Sequence, residues 1–308
     1  MINRVLIRLK IIQIIYAYYQ NDSKNLDAAE KELLFSLSKA YDLYNYLLLL
    51  MVGVTEYALK RIENGKIKKL ATDEDLNPNM RFVENKFIQQ LQSNKMLLEY
   101  AHRQKRTWND HEEFLKSLYE KIQATDIYKE YMAKGSTTYL EDRDFWRKLY
   151  KSLVCANEDL DRLMEEMSLY WNDDKEIVDS FVLKTINRFD ETEGADQELL
   201  PEFKDEDDRS FAIRLFRRSI LNCDEYRKLI NENTRNWDLN RVAFMDVIIM
   251  QVALAEILSF SNIPISVSLN EYVDIAKYYS TPKSGAFVNG TLDGIVKSLR
   301  LEGKITKH

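Results

Sequence analysis

Glycine and proline are scarce in this chain, at 8 and 4 of 308 residues. So few turn formers exclude a strand-and-turn-rich sandwich or barrel, and Glu, Lys, Leu and Tyr fill the space they leave. There are two cysteines, Cys155 and Cys223, and three histidines, His102, His111 and His308. The cysteines lie far apart and the histidines have no close Cys or His partners, which leaves neither a disulfide framework nor metal-ligand spacing. The sequence therefore predicts reduced thiols on helix core faces and no metal site. The longest apolar run, Tyr46 to Val54, is about half a bilayer span. Arg4, Arg8 and Lys10 interrupt the apolar N-terminal residues, and no small-residue cleavage site follows. The expectation is a soluble cytoplasmic protein without membrane contact. A global positive charge is also missing: the formal net charge is −6, so any nucleic-acid contact must come from a local basic patch.

What is present is helical pattern. Hydrophobic residues make up 45% of the chain, enough for a sizeable core, and the fold class read from the sequence is all-α. Residues 3–20 read as an amphipathic helix with Val5, Leu9, Ile12, Tyr16 and Tyr19 as its buried stripe. Arg4 and Arg8, one turn apart, occupy another face with Lys10 nearby, and Asn21-Asp22-Ser23 closes the helix. A long helix is expected from Leu26 to Ile62, with a break near Gly53. Two or three helices follow over 80–134, then one from Leu140 to Trp171 and one from Asp174 to Arg188. Between Asp190 and Asp208 stand ten acids and a single lysine, Lys204, which reads as a linker.

Beyond it, Phe211–Glu232 reads as a helix or helix pair. Val242 to Leu258, apolar almost all round, reads as the central element of a bundle. Ser268-Leu269-Asn270-Glu271 fits a capping box, with Ser268 as N-cap, Glu271 at N3, and Val267 and Tyr272 placed for a hydrophobic staple. The last helix is expected to begin near Ala286, with Val288, Leu292, Ile295 and Leu299 inward. Gly290 and Gly294, one turn apart, would admit a close backbone neighbour.

The residues give catalysis little to work with. No Gly-rich phosphate loop and no nucleophile elbow occurs, and no carboxylate pair stands out for acid–base work. The sequence reads as a non-enzyme without cofactors. Arg4, Arg8 and Lys10 are suited to phosphates, and a tyrosine at the rim of the helix stripe can stack on an unpaired base. Arg214, Arg217 and Arg218 form a second basic cluster that either extends such a patch or only solvates its helix. Asn289, beside Gly290 in an apolar helix start, serves either a structural hydrogen bond or a ligand.

These residues carry a resemblance. The helix Val242–Leu258, the segment Ile263-Pro264 through Asn270-Glu271, Ala276-Lys277, and Phe287-Val288-Asn289-Gly290-x-Leu292-Asp293 look like the C-terminal part of the NusB family of bacterial antitermination factors. Arg4, Arg8, Gln13 and Tyr16 fall where the family's arginine-rich first helix has matching residues. The resemblance covers about 110 of the 308 residues. It implies a NusB-like helical bundle from 1–20 and 211–308, an additional helical region at 21–189 inserted after the first helix, and an acidic linker at 190–210. It implies binding of a boxA-like single-stranded RNA together with NusE, the ribosomal protein that joins the RNA polymerase antitermination complex. RNA contact would then fall on Arg4, Arg8, Lys10, Tyr16, Phe287, Asn289 and Gly290. Glu256 and Asn270 would face the protein partner. The chain departs from the family pattern where Val5, Leu6 and Ile7 replace basic residues. The competing reading is a helical protein–protein module with weak or no RNA binding. Either way, the first and last helices are expected to meet in space.

Overall fold

The computed structural model describes residues 1–21, 24–104, 107–171, 173–234 and 242–305, so Asp22-Ser23 and His308 lie outside the described residues. Among the described residues every regular element is helical, apart from one isolated bridge between Ile2 and Phe203. The chain divides into two compact units, one of Met1 with Lys39–Glu202 and the other of Ile2–Ser38 with Phe203–His308.

The first unit is built on the C-terminal part of α2 (Leu26–Lys66). It continues through α3 (Asp73–Leu76), α4 (Lys86–Ser93), α5 (Lys95–Arg103), α6 (Glu112–Ala124), α7 (Asp126–Met132), α8 (Tyr139–Leu149), α9 (Glu158–Met167) and α10 (Lys175–Arg188). Helix α2 does not break at Gly53. A Cβ there would meet Trp108 Cβ at 2.9 Å, so the glycine serves the approach of an indole rather than a bend. The single helix expected from Leu140 to Trp171 is three pieces. A π turn at Tyr150–Val154 follows α8, and Asn157 caps α9 by accepting from Asp159 N and Leu160 N at 3.1 Å. The carbonyls freed at the break, Val154 O and Cys155 O, each take a 3.0 Å hydrogen bond from buried Lys175 Nζ.

The acidic stretch is not a linker throughout. Gln90 Nε2 donates to Asp190 O and Gly194 O at 2.8 and 3.0 Å, Asn94 Nδ2 donates to Gln197 O at 2.7 Å, and Leu199 and Leu200 are buried. Further on, Glu206, Asp207 and Asp208 form the first turn of α11 (Glu206–Leu221). Acids are favoured there because the unpaired N–H groups of a helix start carry partial positive charge.

The second unit contains α1 (Arg4–Gln20), the start of α2, α11, α12 (Cys223–Asn233), α13 (Phe244–Ser259), α14 (Ile265–Tyr279) and α15 (Ser284–Leu301). Asn3 Oδ1 caps α1 by accepting from Leu6 N at 2.9 Å. Helix α13 is the axis of this unit, packing against α1, α11, α12, α14 and α15. Its residues Ile248 through Ile257 are all buried, as its all-round apolar sequence predicts. Helix α1 is different from its expected form. It is buried nearly all round from Leu6 to Ile12, while Val5 and Tyr16, placed by periodicity on the inner stripe, are exposed.

The end of the chain corrects two further expectations. Helix α14 begins at Ile265 behind Pro264, three residues before Ser268, so Ser268 sits inside the helix and no capping box forms. Val267 is 43% exposed and Tyr272 is fully buried, which excludes the staple. In α15 the inward set Val288, Leu292, Ile295 and Leu299 is buried as expected. Among the described residues no backbone approaches Gly290 or Gly294: a Cβ on the first would touch nothing, and on the second only Asn233 Oδ1 at 3.6 Å. Helix α1 packs on α11 and α13, whereas α15 packs on α14, α12 and α13. The two helices share α13 as a neighbour, while α15 rests mainly on α14 and α1 on α11 and α13.

Candidate nucleic-acid interface

Two polar clusters lie toward opposite ends of α13. Toward its C-terminal end, Glu256 is fully buried and accepts four hydrogen bonds. Arg8 Nε and Nη2 reach its two oxygens at 2.8 and 2.9 Å, Ser268 Oγ at 2.7 Å and Tyr272 OH at 2.8 Å. Arg8 Nη1 also lies 3.4 Å from Glu271. The fork of a guanidinium matches the two oxygens of one carboxylate, and every acceptor direction here is filled. Burial by itself lowers the Arg8 pKa, but the Glu256 hydrogen bond and the surrounding charges outweigh it and raise the value. Burial, then the Glu256 charge, push the Tyr272 phenol well above the usual tyrosine range. Three helices, α1, α13 and α14, are tied at this point.

Toward the other end, Tyr16 and Tyr19 of α1 pack around Phe244, with ring centres 5.7 and 6.1 Å from it. Gln251 Nε2 donates to Tyr19 OH at 2.9 Å, and Arg227 lies 4.4 Å over the Tyr19 ring while its Nε donates to Gln251 at 3.1 Å. Ser284, the first residue of α15, donates to Asp246 Oδ2 at 2.8 Å. Asp246 and Glu256 are ten residues apart, or about 15 Å along a helix.

The residues expected to contact RNA are therefore distributed over different environments. Arg4 is half-exposed, 3.2 Å from Asp208 Oδ1, with its guanidinium carbon 4.9 Å over the Phe211 ring. Arg8 is only 3% exposed and Lys10 only 2%. Neither presents its charge to solvent, which corrects the expectation of a shared basic face, because the helix that carries them is interior. Tyr16 is 37% exposed, as is its neighbour Phe244. Phe287 is half-buried, and Asn289 and Gly290 are exposed on α15. These three lie near the Ser284 end of α15, whereas Arg4 lies by Asp208 and Phe211. Asn270 is exposed on α14, while Glu256 is wholly interior with its oxygens filled by Arg8, Ser268 and Tyr272, which corrects the expectation that it faces a protein partner.

Sequence reasoning missed Ser268 and Tyr272 as ligands of Glu256, and Phe244 as the partner of Tyr16. The spacing of Ser268 and Tyr272 was a usable signal, since they are one turn apart and share a helix face. The fourth member, Arg8, is separated from Glu256 by 248 positions. Cys155 and Cys223 are free, and burial pushes the Cys155 thiol up to about 11, leaving it protonated near neutrality. Among the described residues no group of three or more His, Cys, Asp or Glu could hold a metal ion, and no helix is long and apolar enough to cross a membrane.

A helical unit threaded by one apolar helix, with a buried Arg–Glu pair and an aromatic–arginine rim, defines an all-α helical-bundle protein. Residues 178–297 match the model of the NusB family. The transcription antitermination protein NusB of Salinibacter ruber is 37% identical over 132 residues, covering 41% of this chain and 82% of that protein. The proteins of the same name from Chloroherpeton thalassium and Finegoldia magna are 37% and 40% identical, over 32% and 28% of this chain and 47% and 65% of their own lengths. No solved structure matches the chain. The chain belongs to the NusB family. The family match begins inside α10 and leaves α1 outside it.

Proposed function

We propose that this protein is a transcription antitermination factor that binds boxA-like single-stranded leader RNA together with NusE. In the cytoplasm the assembly helps RNA polymerase read through terminators. The observation that carries this reading is the coverage of a relative bearing the antitermination name, 82% of its length at 37% identity. The exposed pair Tyr16 and Phe244 supports it physically, because aromatic faces at a surface accept unpaired bases without regard to sequence. Arg4, with its guanidinium fixed over Phe211, supplies a cation for the backbone. Asn270 on exposed α14, and Phe287, Asn289 and Gly290 on α15, are the remaining contact residues of this proposal. No catalysis and no cofactor are assigned.

A second reading, a protein–protein module with little RNA affinity, draws on the interior placement of Arg8 and Lys10. Titration of a boxA-containing RNA, with and without NusE, across a salt series separates the two. Affinity that falls as salt rises supports the first reading, since counterions released from phosphates drive such binding. NusE binding without any RNA affinity at low salt would establish the second.

A further inference from the structure

The basic residues of α1 are largely spent inside the protein, and the free positive charge stands elsewhere. On α11, Arg217 is held by Asp27 and Glu30 of α2. Arg214 and Arg218, one turn apart and both exposed, make no ion pair among the described residues. The Arg214 guanidinium carbon lies 4.8 Å over the Phe260 ring, as that of Arg4 lies over Phe211. The two rings pack edge to face, with centres 5.0 Å apart at 63°. Two arginines are thus mounted on one aromatic pair. Between them is a cavity of about 320 Å³, with Ser210, Ser261 and Asn262 supplying hydrogen-bonding groups to its lining. Arg218 lies within electrostatic reach of Tyr226, which hydrogen-bonds Ser259 of the same lining.

Stacking fixes the plane of a guanidinium while leaving its N–H edges free, the arrangement suited to a phosphate oxygen pair. Three acids stand nearby. Asp208 is matched by Arg4, Asp207 lines the cavity with Arg214, and Glu225 shares the surroundings of Tyr226 with Arg218. The cavity lining itself carries two arginines, Arg4 and Arg214, against one acid, Asp207, on a chain whose net charge is −6.

We infer that Arg214 and Arg218 of α11, with Arg4 at their edge, form the backbone-binding strip for single-stranded RNA in this protein. The inference rests on the RNA-binding reading above and moves its electrostatic contact from the first helix to α11. An acidic polypeptide is the competing ligand, and the cavity's mix of serines, asparagine and stacked arginines favours the nucleic acid.

The test is a salt series with boxA-containing RNA and the full chain in the presence of NusE. The proteins are the parent, the double variant Arg214→Gln/Arg218→Gln, the ion-paired control Arg217→Gln, and Arg214→Lys. Each phosphate contact on a single strand contributes about 0.7 to the slope of log K against log salt, so the double variant should flatten it by about 1.4. Arg217→Gln should keep the parental slope. Arg214→Lys should keep the slope while losing affinity, because it retains charge without a planar fork. Circular dichroism checks that each variant folds. A parental slope in the double variant overturns this inference and leaves the RNA-binding reading standing. No RNA binding by the parent at low salt overturns both, as does polyglutamate binding through these arginines in place of RNA.

Discussion

Replacing Arg8 with Met should be among the most damaging single changes in the second unit, while leaving RNA electrostatics untouched. The side chain is 4% exposed and Glu256 is wholly buried, so the pair has almost no solvent screening. Removing the guanidinium leaves the Glu256 carboxylate with only the hydroxyls of Ser268 and Tyr272. Breaking a buried pair in this way costs about 3–5 kcal/mol, most of it from the stranded charge. Glu256→Gln should cost a similar amount, because Arg8 would then keep only partly exposed Glu271 at 3.4 Å as a charge partner. The double variant should cost less than the two single costs together, by up to about 3 kcal/mol, since neither charge is then stranded. Because the chain has two compact units, the readout must follow the second one by itself. Amide hydrogen exchange of peptides from α13 and α14 reads the second unit directly. Exchange there should speed up by more than a hundredfold, as about 1.4 kcal/mol corresponds to tenfold. If Arg8→Met changed that exchange less than about fivefold (roughly 1 kcal/mol) and instead flattened the RNA salt slope, Arg8 would be a phosphate ligand and the burial argument would fail.

Three other outcomes follow from the same geometry. Tyr16→Ala or Phe244→Ala should weaken RNA binding by about 1–3 kcal/mol each with no change in salt slope, measured by fluorescence anisotropy; an unchanged affinity removes the stacking role. Gly53→Ala should lower the melting temperature, because a new Cβ 2.9 Å from Trp108 Cβ costs about 1–3 kcal/mol of overpacking against a helix-propensity gain of about 1. Gly294→Ala meets only ordinary contact and should stabilise by up to about 1 kcal/mol, and the reverse ranking in thermal melts would contradict both. Stability should fall as pH rises above about 10. Burial, the first cause in each case, holds the Tyr19 and Tyr44 phenols up to about 12, so the unfolded chain releases those protons first. Tyr44 alone accounts for about 2–3 kcal/mol, present below the unfolded value and lost progressively through the folded one. Circular dichroism in an alkaline series checks this, and a flat profile up to about pH 12 would refute it.

Much of the fold was legible where one helix carries its own signal. Helix α13 declares itself by an apolar surface on every side, and α15 by inward positions at spacings of four, three and four. The Phe-Val-Asn-Gly and Asn-Glu segments indicated the family because their order is local to the chain. Boundaries were less legible. Ser268 and Glu271 satisfy a capping pattern, yet Pro264 starts the helix earlier, because its fixed φ already suits a helix start. Gly53 looked like a break because glycine disfavours helices. Its reason for being there is an indole from a distant element.

The candidate site shows the same division. Sequence determined that α1 carries Arg4, Arg8, Lys10 and Tyr16, and that α11 carries a second arginine cluster. It also determined that the protein is helical and of the NusB family, because composition, periodicity and residue order are properties of the chain itself. Only tertiary structure decided which charges are available. Arg8 is inside because Glu256, 248 positions away, lies on the helix that packs against α1. Arg217 is neutralised by Asp27 and Glu30, and Arg214, over Phe260, has no ion pair among the described residues. An arginine is equally charged in each setting; the partners that desolvate it, pair it or leave it open come from distant parts of the chain.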